Sequence, residues 1–201
     1  MESKHIQKIS QIILGVLSLY FIYLFSYAIK IINRRHIDSG DGIYINSTTE
    51  DPSLQKLAKQ LTQSCHNDLC RIQHLLNYVT NIPYKVNHYQ AHTPQATIQK
   101  NFGDCDDKSN LLISLLHELG IKSYFVLVPH HIFVIVQVDD VHLQHLIKGL
   151  YINGEKYYIL ESTAKNSAVG FPLRYKLNQI KAIIEPFENK KIDIHHLEWR
   201  R

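Results

Sequence analysis

From Ile12 to Ile29 the chain reads IILGVLSLYFIYLFSYAI, eighteen residues without a charge, and Ile31-Ile32 carry the apolar stretch past Lys30. That is long enough to span a bilayer as a helix. A cleaved signal peptide has a shorter apolar core and a small-residue cleavage site, whereas Asn33-Arg34-Arg35-His36 follows here. The pattern predicts a retained single-pass anchor over residues 1–33, with Tyr20, Tyr23 and Tyr27 suited to the membrane interface.

Residues 34–52 hold Gly40, Gly42, several Ser and Thr and Pro52, with only Ile43-Tyr44-Ile45 of strand character, and are read as a linker. The folded domain is expected over residues 53–201. Leu54, Leu57, Ala58 and Leu61 recur at helical spacing, as do Leu69, Ile72, Leu75, Leu76 and Val79. The second of these helices ends at Asn81-Ile82-Pro83-Tyr84, because proline disfavours a helical conformation in the residue before it. Residues 85–101 read as a long loop. Lys108 to Leu119 is a strongly apolar helix stopped by Gly120.

The texture then changes. Ser123–Val128, Ile132–Val138 and Lys156–Leu160 are rich in β-branched and aromatic residues, and Asn153-Gly154 is a type I′ hairpin signal. Val141–Leu150 reads as an irregular or short helical insertion, and Ile180–Ile184 as a final strand. Helices first and antiparallel strands second make an α+β pattern.

Composition adds bounds. With 45% hydrophobic and 20% charged residues the chain has a globular balance, and its net charge of +4 is spread without a block of like charges, so nucleic acid has no support as a partner. Thirteen histidines are many, but His142-x-x-His145 and the pairs His130-His131 and His195-His196 lack a partnered Cys or carboxylate cluster, so no metal and no cofactor is expected. Cys65 and Cys70 flank a turn between helices: they either form a short disulfide, which places the domain in an oxidising compartment, or remain free thiols. Lys4 and Lys8 on one side of the anchor against Lys30, Arg34 and Arg35 on the other favour a cytoplasmic domain, whereas the cysteine pair favours an exported one, the reading preferred here.

Cys105 stands apart, in Gly103-Asp104-Cys105-Asp106-Asp107. Asp104 is a good N-cap, which puts Cys105 in the first helical turn, and Asp107 is placed to close a capping box. Gly103 allows a close backbone approach. Unpaired N–H groups and the helix dipole are expected to lower the thiol pKa. Alone, this describes a structural cysteine as well as a nucleophile. A nucleophile needs a base and a group to orient that base. His131 precedes the strand Ile132-Phe133-Val134, and Glu161 ends the strand Tyr157-Tyr158-Ile159-Leu160. Two strand ends and one helix start can converge. Adjacent strand residues face opposite sides, so His130 and His131 are not equivalent.

In that order, Gly103-Asp104-Cys105-Asp106-Asp107, His131-Ile132-Phe133-Val134 and Leu160-Glu161-Ser162-Thr163 resemble the transglutaminase-like superfamily, a branch of the papain-like cysteine enzymes, over roughly residues 53–175. The resemblance implies helices packed on an antiparallel sheet, with Cys105 as nucleophile, His131 rather than His130 as base and Glu161 as orienting carboxylate, where the family more often has Asp. It implies acyl transfer from a peptide or protein amide to water or to an amine, most simply a peptidase or amidase. The contrasting expectation is a binding or scaffolding module that keeps the fold without turnover, since fold does not fix function. Beside the Cys105 backbone N–H, a second oxyanion donor has no clear signal; Gln99 and Asn101 are the candidates upstream.

Overall fold

The structure, a computed structural model, describes residues 2–32, 35–38, 43–87 and 91–201. It divides into residues 1–34 and residues 35–201. The first unit is the helix α1 (Glu2–Ile32), within which Lys8–Ile29 is long and apolar enough to cross a membrane. Its 22 residues rise roughly 33 Å, close to a bilayer's hydrocarbon thickness.

The second unit begins with a short antiparallel pair, β1 (Arg35–Asp38) and β2 (Ile43–Asn46), then runs through helices α2 (Pro52–Leu61), α3 (Asp68–Asn81), α4 (Pro94–Lys100) and α5 (Cys105–His117). Strands β3 (Ser123–Val128) and β4 (His131–Val136) follow, then α6 (Val141–Leu146), β5 (Gly149–Ile152), β6 (Glu155–Leu160), a 3-10 turn (Leu177–Gln179), β7 (Ala182–Glu185), β8 (Lys190–Lys191) and β9 (Leu197–Arg200). The large sheet has seven strands in the order β8-β7-β3-β4-β6-β5-β9, every neighbour antiparallel. The α+β expectation holds.

Local chemistry explains the boundaries. Asp51, Asn67 and Thr93 cap α2, α3 and α4, each accepting a backbone N–H of the first turn, and Pro52 and Pro94 supply prolines where a helix lacks an N–H partner anyway. Ile82 leaves the helix in an extended conformation, ahead of Pro83. Gly120, with φ +73, ends α5 as Ile121 N–H returns to the Leu116 carbonyl at 3.0 Å. Asn153 (φ 52) and Gly154 (φ 95) form the two-residue turn between β5 and β6.

Two cores result, one on each face of the sheet. On the first face Ile132, Val134, Val136, Tyr158 and Leu160 meet α2, α3 and α5, whose Leu111, Leu112, Ile113, Leu115 and Leu116 are fully buried. On the second face Phe133, Ile135, Tyr157 and Ile159 are covered by Phe171, Leu173, Tyr175 and the residues leading into β9.

Three expectations are corrected. The stretch 34–52 is not simply linker: β1 and β2 lie in it, Ile37 is buried, and Asn46 and Thr48 are buried polar residues. Its polar groups are held by α5, where Asn110 accepts from Ser47 N–H (2.7 Å) and donates to the Ile45 carbonyl (2.8 Å), and Ser114 accepts from Thr49 N–H (3.2 Å). A pattern search for apolar positions misses burial satisfied this way. The expected loop 85–101 contains α4, and residues 88–90 of it lie outside the described residues. The strand at Ile180–Ile184 is β7 but not the last, since β8 and β9 follow. Asp107 does more than return a bond to the cap, as described below. The question left open at Cys65 and Cys70 is answered by a disulfide, with Cα atoms 5.4 Å apart.

Candidate active site

The start of α5 is built from residues on both sides of Cys105. Asp104 caps the helix, its carboxylate facing Asp107 N–H (3.4 Å) and also accepting from Asn87 N–H (3.0 Å). Gly103 runs beside Tyr84, with Lys85 N–H donating to the Gly103 carbonyl (3.0 Å) and Gly103 N–H to the Pro83 carbonyl (3.2 Å). A β-carbon at Gly103 would sit 2.8 Å from the Asp107 Cβ, so the close approach requires glycine. Lys108, buried, donates from Nζ to the Ile82 carbonyl at 2.8 Å, tying α5 to the end of α3. Burial draws that ammonium down to about 8, against the opposing attraction of Glu161.

Asp107 feels the backbone N–H of the cap residue Asp104 and also turns inward. Its Oδ1 accepts from His92 N–H (2.6 Å) and its Oδ2 lies 3.2 Å from His92 Nδ1, while Lys100 Nζ faces His92 Nε2 at 3.0 Å. An ammonium has only donors, so His92 Nε2 accepts and Nδ1 carries the proton, buried beside Asp107 Oδ2 without hydrogen-bond geometry to it. Burial and then Lys100 push the His92 pKa down, and burial raises Asp107 to about 6. This chain, Lys100–His92–Asp107, fixes the 91–93 segment against the helix that carries Cys105. Sequence reading missed it. The available signal was a second aspartate in the first turn of a helix too apolar to expose it.

Opposite lies the pair of strand ends. Val128 pairs with His131, so Pro129-His130 is a two-residue turn, and His130 sits exposed in the left-handed region with φ 57. His131 is half-buried and its Nε2 lies 2.9 Å from Glu161 Oε2. Glu161 Oε1 accepts from Thr163 N–H (3.0 Å) and Thr163 Oγ1 (2.6 Å). Burial works against a charge on Glu161, but the hydrogen bond and attraction from His131 and the two bonds from Thr163 outweigh it and hold the carboxyl below its ordinary range. An ionised carboxylate only accepts, so His131 Nε2 carries the proton and Nδ1 is left for other chemistry. The neighbouring Ser162 is fully buried, its hydroxyl 3.1 Å from that of Ser109 on α5, which locks the end of β6 to the helix.

The structure places Cys105 half-buried against the first core, next to Ile132. By strand alternation Ile132 faces α5 while His131 shares the second face with Phe133, so a side chain linking the two crosses the strand end. Among the described residues Cys105 and His131 are not hydrogen-bonded to each other. The exposed Tyr84 and half-buried Tyr175 both feel the charges of Cys105 and Glu161, which raise their hydroxyl pKa values after burial does, so both phenols border the same space.

One expectation fails here. The Cys105 thiol is not lowered but pushed up to about 12, by burial first and then by the Asp106 and Asp104 carboxylates; the Ile132 and Asp106 backbone N–H groups offset only part of this. The dipole argument counted the helix start and omitted what flanks it. Asp106 is itself raised to about 8, by burial and by its hydrogen bond with and repulsion from Asp104, so the Asp106 carboxyl keeps its proton near neutral pH. Asp104, Asp106 and Asp107 cluster closely, but Asp104 and Asp107 are occupied with Asn87 and His92 as described. Gln99 and Asn101 are exposed at the end of α4.

A family model described as the transglutaminase-like superfamily matches residues 55–161, more than half of the chain. Among solved structures, a candidate cysteine protease from Cytophaga hutchinsonii is similar at 18% identity and a TM-score of 0.47, over 73% of this chain and 50% of that one. A candidate protease from Parabacteroides distasonis is similar at 13% identity and a TM-score of 0.44, over 71% and 27%. The chain thus spans half or less of the length of these two proteins. No curated protein matches.

Proposed function

The chain belongs to the transglutaminase-like superfamily, and from that premise we propose that it is a cysteine acyl-transfer enzyme acting on amide bonds through Cys105, His131 and Glu161, most simply a peptidase or amidase. The observation that carries this reading is the His131 Nε2–Glu161 Oε2 hydrogen bond at 2.9 Å, backed by Thr163, at the strand ends beside Cys105. It orients a base and leaves Nδ1 to take a proton.

In the proposed reaction the Cys105 sulfur attacks the amide carbonyl carbon as its proton passes to His131 Nδ1. The Cys105 backbone N–H, in the first turn of α5, faces the developing oxyanion. The C–N bond then breaks, the departing amine takes the proton from His131, and an S-acyl Cys105 remains. Water or an amine, deprotonated by His131, attacks that thioester, releases the acyl group and restores the thiol. Glu161 is one methylene longer than Asp and is accommodated by its two bonds from Thr163.

The α1 helix anchors the domain to a membrane in this reading, with the peptide or protein amide substrate presented at its surface. The Cys65–Cys70 disulfide supports an exported domain, since such bonds persist in oxidising compartments. A membrane-impermeant thiol reagent applied to intact cells tests the side: labelling of Cys105 supports export, and labelling only after lysis refutes it.

One observation favours the non-catalytic reading, a binding module with an inert cysteine: the thiol pushed up to about 12. The experiment that separates the two is acyl trapping. The enzyme reading expects an acyl adduct on Cys105 that forms with His131 present and not in His131→Ala. A binding module gives none in either.

A further inference from the structure

A cavity of about 330 Å³ opens on the His131–Glu161 side of the site, walled by Phe133, Ile159, Phe171, Arg174 and Tyr175. Cys105 is not part of its lining, so the cavity extends from the proton carrier and not from the thiol. The Tyr175 ring lies parallel to those of His131 (6.2 Å, 19°) and Phe133 (6.4 Å, 15°), forming a continuous aromatic wall. The facing segment is fixed in place: Gly170, with φ +86, turns the chain, and Gly170 and Phe171 N–H groups both donate to the Ile159 carbonyl at 3.1 Å. The Arg174 guanidinium sits 4.8 Å above the Phe171 ring and has no carboxylate partner among the described residues. The one acid in the lining, Glu161, is already bonded to His131 and Thr163.

These features have a direction. In the proposed reaction His131 delivers its proton to the departing nitrogen, so the amine half of the substrate lies on the His131 side. The geometry points to this cavity as a leaving-group subsite that takes the carboxy-terminal residue of a peptide, with an apolar or aromatic side chain against Phe133, Phe171 and Tyr175 and the terminal carboxylate on Arg174. This rests on the proposed roles of Cys105 and His131. The volume is at the small end for ligand pockets and suits one residue. Arg174 offers the planar fork that matches a carboxylate, and the aromatic walls reward a buried ring.

The test uses the full chain in detergent, as Cys105→Ser, titrated calorimetrically with 3-phenylpropionate, 3-phenylpropanol and acetate. The expected result is that 3-phenylpropionate binds about tenfold or more tightly than either comparator, and that Arg174→Gln removes its advantage over the alcohol. Equal binding of acid and alcohol, or a preference that survives Arg174→Gln in a folded protein, overturns the subsite. A kinetic arm on the wild-type chain compares peptides ending in phenylalanine and in phenylalanine amide. Arg174→Gln is expected to raise KM for the acid alone while kcat holds. If peptides are cleaved without discrimination, the subsite fails and catalysis stands. If none is cleaved but 3-phenylpropionate binding still depends on Arg174, the catalytic reading and the leaving-group role fail together, and only a carboxylate-binding cavity stands.

Discussion

The two halves of the candidate site are prepared differently. At the strand ends, His131, Glu161 and Thr163 form a closed hydrogen-bonded set, with the carboxyl held in its charged form. At the helix start, Cys105 is flanked by Asp104 and Asp106, partly buried, and its thiol is pushed up to about 12. One half holds a charge and the other is held neutral. On the proposed reading a cysteine site is therefore not defined by a reactive thiol alone: where burial and two carboxylates outweigh a helix dipole, activation has to come from the base.

The largest effect is expected from removing that base. On the proposed reading His131→Ala and Cys105→Ser each lower amide turnover by on the order of 10⁴-fold or more, while Glu161→Gln costs less, because a positioning carboxylate acts through the histidine. Steady-state kinetics on any amide that is turned over reads the three variants. If Glu161→Gln loses as much as His131→Ala, the carboxylate does more than orient.

Second comes the contrast in the thiol itself. Iodoacetamide labelling of Cys105 is expected to be slow at neutral pH and to rise steadily toward pH 11. In Asp106→Asn the rise shifts to lower pH, because removing a neighbouring negative charge favours the thiolate. A labelling rate that is already maximal at pH 7 breaks the comparison outright.

How much of this contrast was legible in the residues depends on which interaction decides it. Leu111 to Leu116, the β-branched and aromatic richness of β3 and β4, and the Asn153-Gly154 turn were readable because residue preference, apolar periodicity and turn chemistry are local. Cys105, His131 and Glu161 were readable as an ordered set. The sign of the Cys105 shift was not, because it follows from how deeply the helix start is packed and from Asp104 and Asp106 sharing one space with the thiol. The same holds for Asp107, drawn to His92 across fifteen residues of chain, and for the 43–49 segment, whose polar backbone is satisfied by Asn110 and Ser114. Phe171 to Tyr175 carried no signal at all, since only the turn at Gly170 lays them across β4 and β6.

Stability against pH sharpens the picture at the helix start. Asp106 keeps its proton in the folded chain to about pH 8 but releases it near 3.8 when unfolded. The folded state therefore binds more protons between these values, and the contribution of Asp106 to stability falls as pH rises through that window. Denaturant titrations from pH 6 to 8 are expected to slope downward in the wild type and to flatten in Asp106→Asn. Asp107→Ala, which leaves the His92 N–H unpaired, is expected to cost about 1–3 kcal/mol in the same measurement.

The smallest expected difference lies away from the site. Reducing the Cys65–Cys70 bond, which closes a short loop between α2 and α3, is expected to lower stability by about 2 kcal/mol and to leave the Cys105 labelling profile unchanged. A changed profile would link two regions that share no described contact.

The central claim, that His131 and Glu161 activate an otherwise neutral Cys105 for acyl transfer, is tested most directly by intact-protein mass spectrometry after incubation with 4-nitrophenyl acetate near neutral pH. The account predicts one hydroxylamine-sensitive acetyl group on Cys105 in the wild type, slower accumulation in Glu161→Gln and none in His131→Ala. Equal acetylation of wild type and His131→Ala, or no Cys105 adduct in the folded wild type, would contradict it.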